Sequence, residues 1–118
     1  KTDNPEILSM IEYAKAFYHM EKDKKKYVEH LIKSIEHYDK HVNNFKALGK
    51  CYLKIGKIEK GKELIKRALD NIQVIYNENY PITDITDIDE FFNYYYKGTH
   101  TTEFVKEDLE ELLNRKYK

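Results

Sequence analysis

The sequence predicts an all-α protein built from antiparallel helical hairpins, and three observations carry that expectation. Composition favours helices: Lys, Glu, Leu, Ile and Tyr dominate the 118 residues, and only four glycines and two prolines interrupt them. Apolar residues recur at helical spacing, in stripes at i, i+3 and i+7. These stripes also repeat along the chain. With an offset of 34 residues, Ile11, Ala14 and Tyr18 fall on Phe45, Leu48 and Tyr52, and Tyr27, Leu31, Ser34 and Ile35 fall on Gly61, Ile65, Ala68 and Leu69.

Taken in order, the elements are six helices near residues 5–21, 24–41, 44–55, 58–77, 87–97 and 103–116. The first begins at Asn4-Pro5-Glu6, where Asn accepts from free amides and Pro suits the first helical position. Asp23 caps the second, Asn43 or Asn44 the third, Thr86 the fifth and Thr102 the sixth. Gly56 and Gly98 stand where left-handed C-caps end the third and fifth. The fourth runs on through Ile72, Ile75 and Tyr76 until Asn77 to Pro81 breaks it, and residues 77–85 form an ordered loop. Paired in sequence, the helices make hairpins at about 5–41, 44–77 and 87–116 within a single domain spanning 1–118. The third hairpin is a degenerate copy, with Ile88, Phe91 and Tyr95 followed by Val105, Leu109, Leu112 and Leu113. In this reading Ile11, Ala14 and Tyr18 belong to the core.

The stretch from Phe45 to Leu69 resembles the tetratricopeptide repeat (TPR) family. Phe45-Lys-Ala-Leu48-Gly49-Lys-Cys-Tyr52 is similar to the opening of that repeat, Gly56 stands at its turn, and Gly61, Ile65 and Ala68 take its small, large and small positions. The first copy departs at Lys15 and Tyr27, the third at Phe92 and Val105, and Gln73 stands where the repeat often closes with proline. The resemblance implies an α-α superhelix whose first helices line a concave groove for an extended peptide or partner helix. The acidic last helix, with Glu103, Glu107, Asp108, Glu110 and Glu111 opposite Leu109, Leu112 and Leu113, reads as the polar cap of such a stack.

Projected on these helices, the groove is lined by Ser9, Tyr13, Ala16 and Met20, then Asn43, Lys46, Ala47, Lys50 and Lys54, then Asp89, Asn93 and Tyr96. The candidate partner-binding residues are Tyr13, Met20, Asn43, Lys46, Lys50, Lys54, Asn93 and Tyr96. Lys46, Lys50 and Lys54 repeat every four residues and offer an acidic segment one cationic face. A solvated lysine stripe is the competing explanation. The two-carboxylate clamp of chaperone-binding members is not expected, because Glu12, Ala16, Ala47, Asp89 and Glu90 stand at the comparable places. Tyr13, Met20, Phe17 and Met10 give the first helix a wide apolar circumference, to be covered by a partner or by an upstream repeat removed with the rest of a longer chain.

Charge and motifs exclude several function classes. Net charge is zero, which argues against non-specific nucleic-acid binding, yet residues 1–67 carry 16 basic against 10 acidic side chains and the remainder 5 against 11. Tyr94, Tyr95 and Tyr96 point about 100° apart on a helix and form no stacking platform. No membrane span or signal peptide is expected, and the single cysteine, Cys51, leaves no disulfide framework, so the cytoplasm is the expected compartment. No phosphate loop, HExxH helix, nucleophile elbow or CxxC pair occurs, so no catalytic residue and no cofactor is assigned. His37 and His41, with His30 behind them, are read as histidines on a wet outer helix rather than metal ligands. The run Lys24-Lys25-Lys26 reads as solvated surface.

The expected function is therefore a non-catalytic protein- or peptide-binding module with a lysine-rich groove. The alternatives are the peptide-sensing part of a TPR-containing bacterial regulator and a scaffold that self-associates weakly, its basic first repeats meeting the acidic third hairpin of the next copy.

Overall fold

A computed structural model describes residues 3–79 and 102–117, with side chains for 3–72 and 106–117. Among the described residues there are five helices and no strand, so the all-α expectation holds. They are α1 (Pro5–His19), α2 (Lys24–His37), α3 (Asn43–Lys54), α4 (Ile58–Asn79) and α5 (Thr102–Asn114). The expected helix at 87–97, with Thr86, Ile88, Phe91, Tyr95 and Gly98, lies outside the described residues. The chain divides into two compact units, Lys1–Asp39 and Lys40–Lys118.

In the first unit α2 packs along α1. Asn4 starts α1 as expected, its Oδ1 accepting from the amides of Glu6 and Ile7 at 2.9 and 3.4 Å. Asp23 caps α2 by accepting from the Lys26 amide at 3.2 Å. The seam sets one large aliphatic side chain among small ones: Leu31, Ser9, Ala16 and Ser34 are all 0% exposed. Ser34 Oγ donates to the Ser9 carbonyl at 2.9 Å, and the two hydroxyls lie 2.9 Å apart. Since Ser34 has one proton to give, Ser9 Oγ is the donor between the hydroxyls.

This seam corrects the assignment of faces on α1. Ser9 and Ala16, projected onto a partner groove, are buried instead, whereas Ile11, Ala14 and Tyr18, projected into the core, are exposed. The helix ends are corrected too. Chain beyond α1 turns at Met20, and α2 stops at His37 because Tyr38 adopts an extended conformation (φ −157°, ψ 120°). His37 and His41 are thus not one helical turn apart: His37 is exposed, while His41 is buried in the segment entering α3.

In the second unit α4 packs against both α3 and α5. The residue before α3 is Val42 and no side chain caps it, so neither Asn43 nor Asn44 is the N-cap. Asn44 Oδ1 instead accepts from the Phe45 amide at 2.8 Å, and Asn71 Nδ2 donates to the His41 carbonyl at 2.7 Å, fixing the entry to α3. At the other end, Gly56 has φ 88°, and the amides of Gly56 and Lys57 donate to the carbonyls of Leu53 and Tyr52 at 3.2 and 2.9 Å. Those two bonds make the expected left-handed stop a Schellman motif.

The core joins Phe45, Leu48, Leu53, Ile65, Ala68 and Ile72 with Leu109 and Leu112 of α5. Helices α3 and α4 meet backbone to backbone where Gly49 and Gly61 face each other: a Cβ on Gly61 would lie 3.0 Å from the Gly49 carbonyl oxygen, and one on Gly49 3.1 Å from that of Gly61. Helix α4 runs to Asn79, past the expected stop, while α5 ends at Asn114 instead of 116. There the Tyr117 hydroxyl donates to the Leu112 carbonyl at 2.6 Å and Arg115 pairs with Glu111 at 2.7 Å.

Candidate functional site

The lysine face belongs to the second unit. Helix α3 turns Asn44, Phe45, Leu48, Gly49 and Leu53 inward, which leaves Lys50 and Lys54 on its exposed side. Asn43, Lys46 and Ala47 are half-buried in its first turns. Lys46 is already engaged, because its ammonium pairs with the Asp108 carboxylate of α5. Both ends of this pair are partly solvated, with 25% and 50% of the side chains exposed, so its own contribution is of the order of 0–1 kcal/mol.

Asp108 was not expected to hold a groove lysine. The signal was nevertheless there, in the basic first part and acidic last part of the chain and in the solvent-facing row of the last helix. What that charge division leaves open is which lysine a given carboxylate reaches, since this depends on how α5 lies against α4. Asn93 and Tyr96, along with Asp89, lie outside the described residues.

Tyr13 and Met20 belong to the first unit, where both are half-buried. Burial, with Tyr27 nearby, pushes the Tyr13 phenol up to about 12. Its ring meets Phe17 edge-on at 4.9 Å. Next to it on α1 is a polar cluster that sequence reasoning missed. His30 Nδ1 of α2 donates to Glu12 Oε1 at 2.8 Å, Lys15 Nζ reaches Glu12 Oε2 at 3.2 Å, and His19 stacks on His30 with ring centroids 5.4 Å apart. No spacing rule links Glu12 to His30, because the contact crosses between helices.

Burial works to raise the Glu12 carboxyl, but the hydrogen bonds from His30 and Lys15 and their charges outweigh it, so Glu12 sits below its usual value of 4.5. A carboxylate more acidic in the folded chain than in the unfolded one stabilises the fold fully above about pH 4.5. That stabilisation is lost as pH falls through the folded value. Denaturation curves at pH 6, 5, 4 and 3 are expected to show little change from this group between pH 6 and 5 and a weakening of α1–α2 from there to pH 3, and Glu12→Gln is expected to start less stable and to flatten that acid limb.

Among the described residues no group of three or more His, Cys, Asp or Glu side chains could hold a metal ion, and no helix is long and apolar enough to cross a membrane. Cys51 is half-buried in α3 and is not part of a disulfide. No protein-family model, curated protein or solved structure matches this chain.

Proposed function

We propose that the chain is a non-catalytic, TPR-like module that holds an acidic or extended segment of another protein, with the lysine face of α3 as its contact surface. The observation that carries this reading is the Lys46–Asp108 pair: one lysine of the face already takes a carboxylate from its own chain, and Lys50 and Lys54 continue that face into solvent. Side chains four residues apart on a helix are neighbours, so a segment whose acidic groups recur along its length can engage the row together. Two features support the repeat-like character. Leu31 and Ile65, and likewise Ser34 and Ala68, stand 34 residues apart and are fully buried in their respective hairpins. Gly49 and Gly61, the small residues of the motif, are where the backbones of α3 and α4 touch.

A fluorescent decapeptide of alternating Glu and Ala, titrated against the full chain, tests this. Binding is expected to weaken as salt is raised from about 50 to 300 mM. The double variant Lys50→Glu, Lys54→Glu is expected to lose it by at least about tenfold, a change of about 1.4 kcal/mol. Asp108→Asn, which frees Lys46, is expected to tighten it by up to about fivefold, the equivalent of a surface ion pair. If the peptide binds the charge-reversed variant as well as the wild type, or binds neither, the lysine row is only solvated surface.

A further inference from the structure

The side of α1 that faces away from α2 is apolar. At 100° per residue, Ile7, Met10, Ile11, Ala14, Phe17 and Tyr18 fall within an arc of about 120° centred near Ala14 and opposite Ser9 and Ala16. Ile7, Met10, Ile11, Phe17 and Tyr18 are between 39% and 65% exposed, and among the described residues Ile55 is the one other large apolar side chain so exposed. A concentration of this kind on one helix face marks an interaction surface, whereas the same residues scattered singly would not.

We propose that the occupant of this face is the same face of a second copy, with two α1 helices packed antiparallel about a two-fold axis beside Ala14. An interface of that symmetry requires a patch complementary to itself, and this one is. An antiparallel crossing at Ala14 sets each residue against the one equally far on the other side of position 14. Met10 of one copy then meets Tyr18 of the other, and Ile11 meets Phe17, so aliphatic and thioether groups face aromatic rings at the centre, while Ile7 falls opposite Glu21 at the margin. The small central residue lets the backbones approach.

Charge selects the direction. The leading end of α1 carries Asp3 and Glu6 against Lys1, while the chain leaving its other end carries Lys22, Lys24, Lys25 and Lys26 against Glu21 and Asp23, so the first end is net acidic and the second net basic. Antiparallel packing brings acidic end to basic end and opposes the helix dipoles, whereas parallel packing sets like against like. The exposed part of the stripe comes to roughly 500 Å² per copy, or about 1,000 Å² in all, which lies at the lower edge of specific interfaces. The dimer is accordingly weak and reversible, not a condition of folding. It is closed at two copies, unlike the head-to-tail association of basic with acidic repeats, and it stands independently of the lysine face of α3.

Sedimentation equilibrium of the full chain from about 5 µM to 1 mM is expected to show monomer and dimer with a dissociation constant of the order of 100 µM. Ile11→Glu and Phe17→Glu, at exposed positions, are expected to keep the wild-type helical circular dichroism and to weaken the dimer at least about tenfold. Geometry gives a second readout. Helix axes about 8 Å apart place facing Cα atoms within roughly 6 Å, inside disulfide range. Ala14→Cys in a Cys51→Ser background is thus expected to oxidise to a covalent dimer, and Lys33→Cys, on the exposed side of α2, is not. A wild type that stays monomeric at the highest concentration overturns the proposal. So does a dimer indifferent to both glutamate variants, and so does a monomer in which a thiol at position 14 resists labelling because the rest of the chain covers it.

Discussion

Replacing Gly61 with valine is expected to lower the unfolding free energy by about 3 kcal/mol or more, at or beyond the upper end of what overpacking a core usually costs. A Cβ at this position would lie 2.7 Å from Leu53 Cγ, 2.8 Å from its Cδ2 and 3.0 Å from the Gly49 carbonyl oxygen. Leu53 is buried, and its Cγ moves only if χ1 changes, which would swing the whole side chain out of its packed position. The carbonyl belongs to the backbone of α3. Relief therefore requires α3 and α4 to separate, which opens the contacts around Ile65. Gly61→Ala meets the same atoms with one carbon and regains about 1 kcal/mol of helix propensity, so its net loss is smaller. Gly49→Ala is milder still, because its closest contact, at 2.7 Å, is Ile65 Cδ1, the mobile end of a side chain. Urea denaturation followed by circular dichroism should rank the three in that order. A Gly61→Val protein as stable as wild type would mean that the two helices do not touch through their backbones.

The sequence was most legible where burial coincides with hydropathy. In α2 and α4 the residues repeated at the fixed offset, Leu31 with Ile65 and Ser34 with Ala68, are the ones that pack, and the glycines of the motif mark the closest approach of α3 to α4. Helix ends were legible where one residue type satisfies the backbone unaided, as at Asn4, Asp23 and Gly56. The end of α2 was not, because no glycine or proline stands between His37 and Val42 and the extended Tyr38 has no local signature.

On α1 the hydropathy pattern pointed to the wrong face. The more apolar stripe, through Ile11 and Tyr18, is solvent-facing. The stripe that packs on α2 uses the buried Ser9 and Ala16 with the half-buried Glu12, whose polar atoms are satisfied by Ser34, His30 and Lys15. A hydrogen bond to another helix removes the cost of burying a polar group, so a pattern that scores residues singly cannot see it. The candidate site shows the same division. Exposure of Lys50 and Lys54 follows from helical spacing, but the capture of Lys46 by Asp108 and the half-burial of Tyr13 and Met20 depend on tertiary neighbours.

That reversal of faces yields the second large effect. Leu31→Ala is expected to cost 2–5 kcal/mol, the range for truncating a large aliphatic side chain in a closed core, because Leu31 is 0% exposed between α1 and α2. Ile11→Ala removes a side chain of similar size from the stripe that hydropathy assigned to the core. Ile11 is 42% exposed, and measured at low micromolar concentration the change is expected to stay within about 0.5 kcal/mol, as for most surface substitutions. Small terms pull in opposite directions there, since alanine raises helix propensity while some apolar contact is lost. Equal losses for the two variants would return Ile11 to the core and α1 to the orientation its hydropathy suggests. A large loss at Leu31 alone would establish that this hairpin closes around Leu31 on the Ser9 and Ala16 face of α1, and that the stripe through Ile11 is not part of its core.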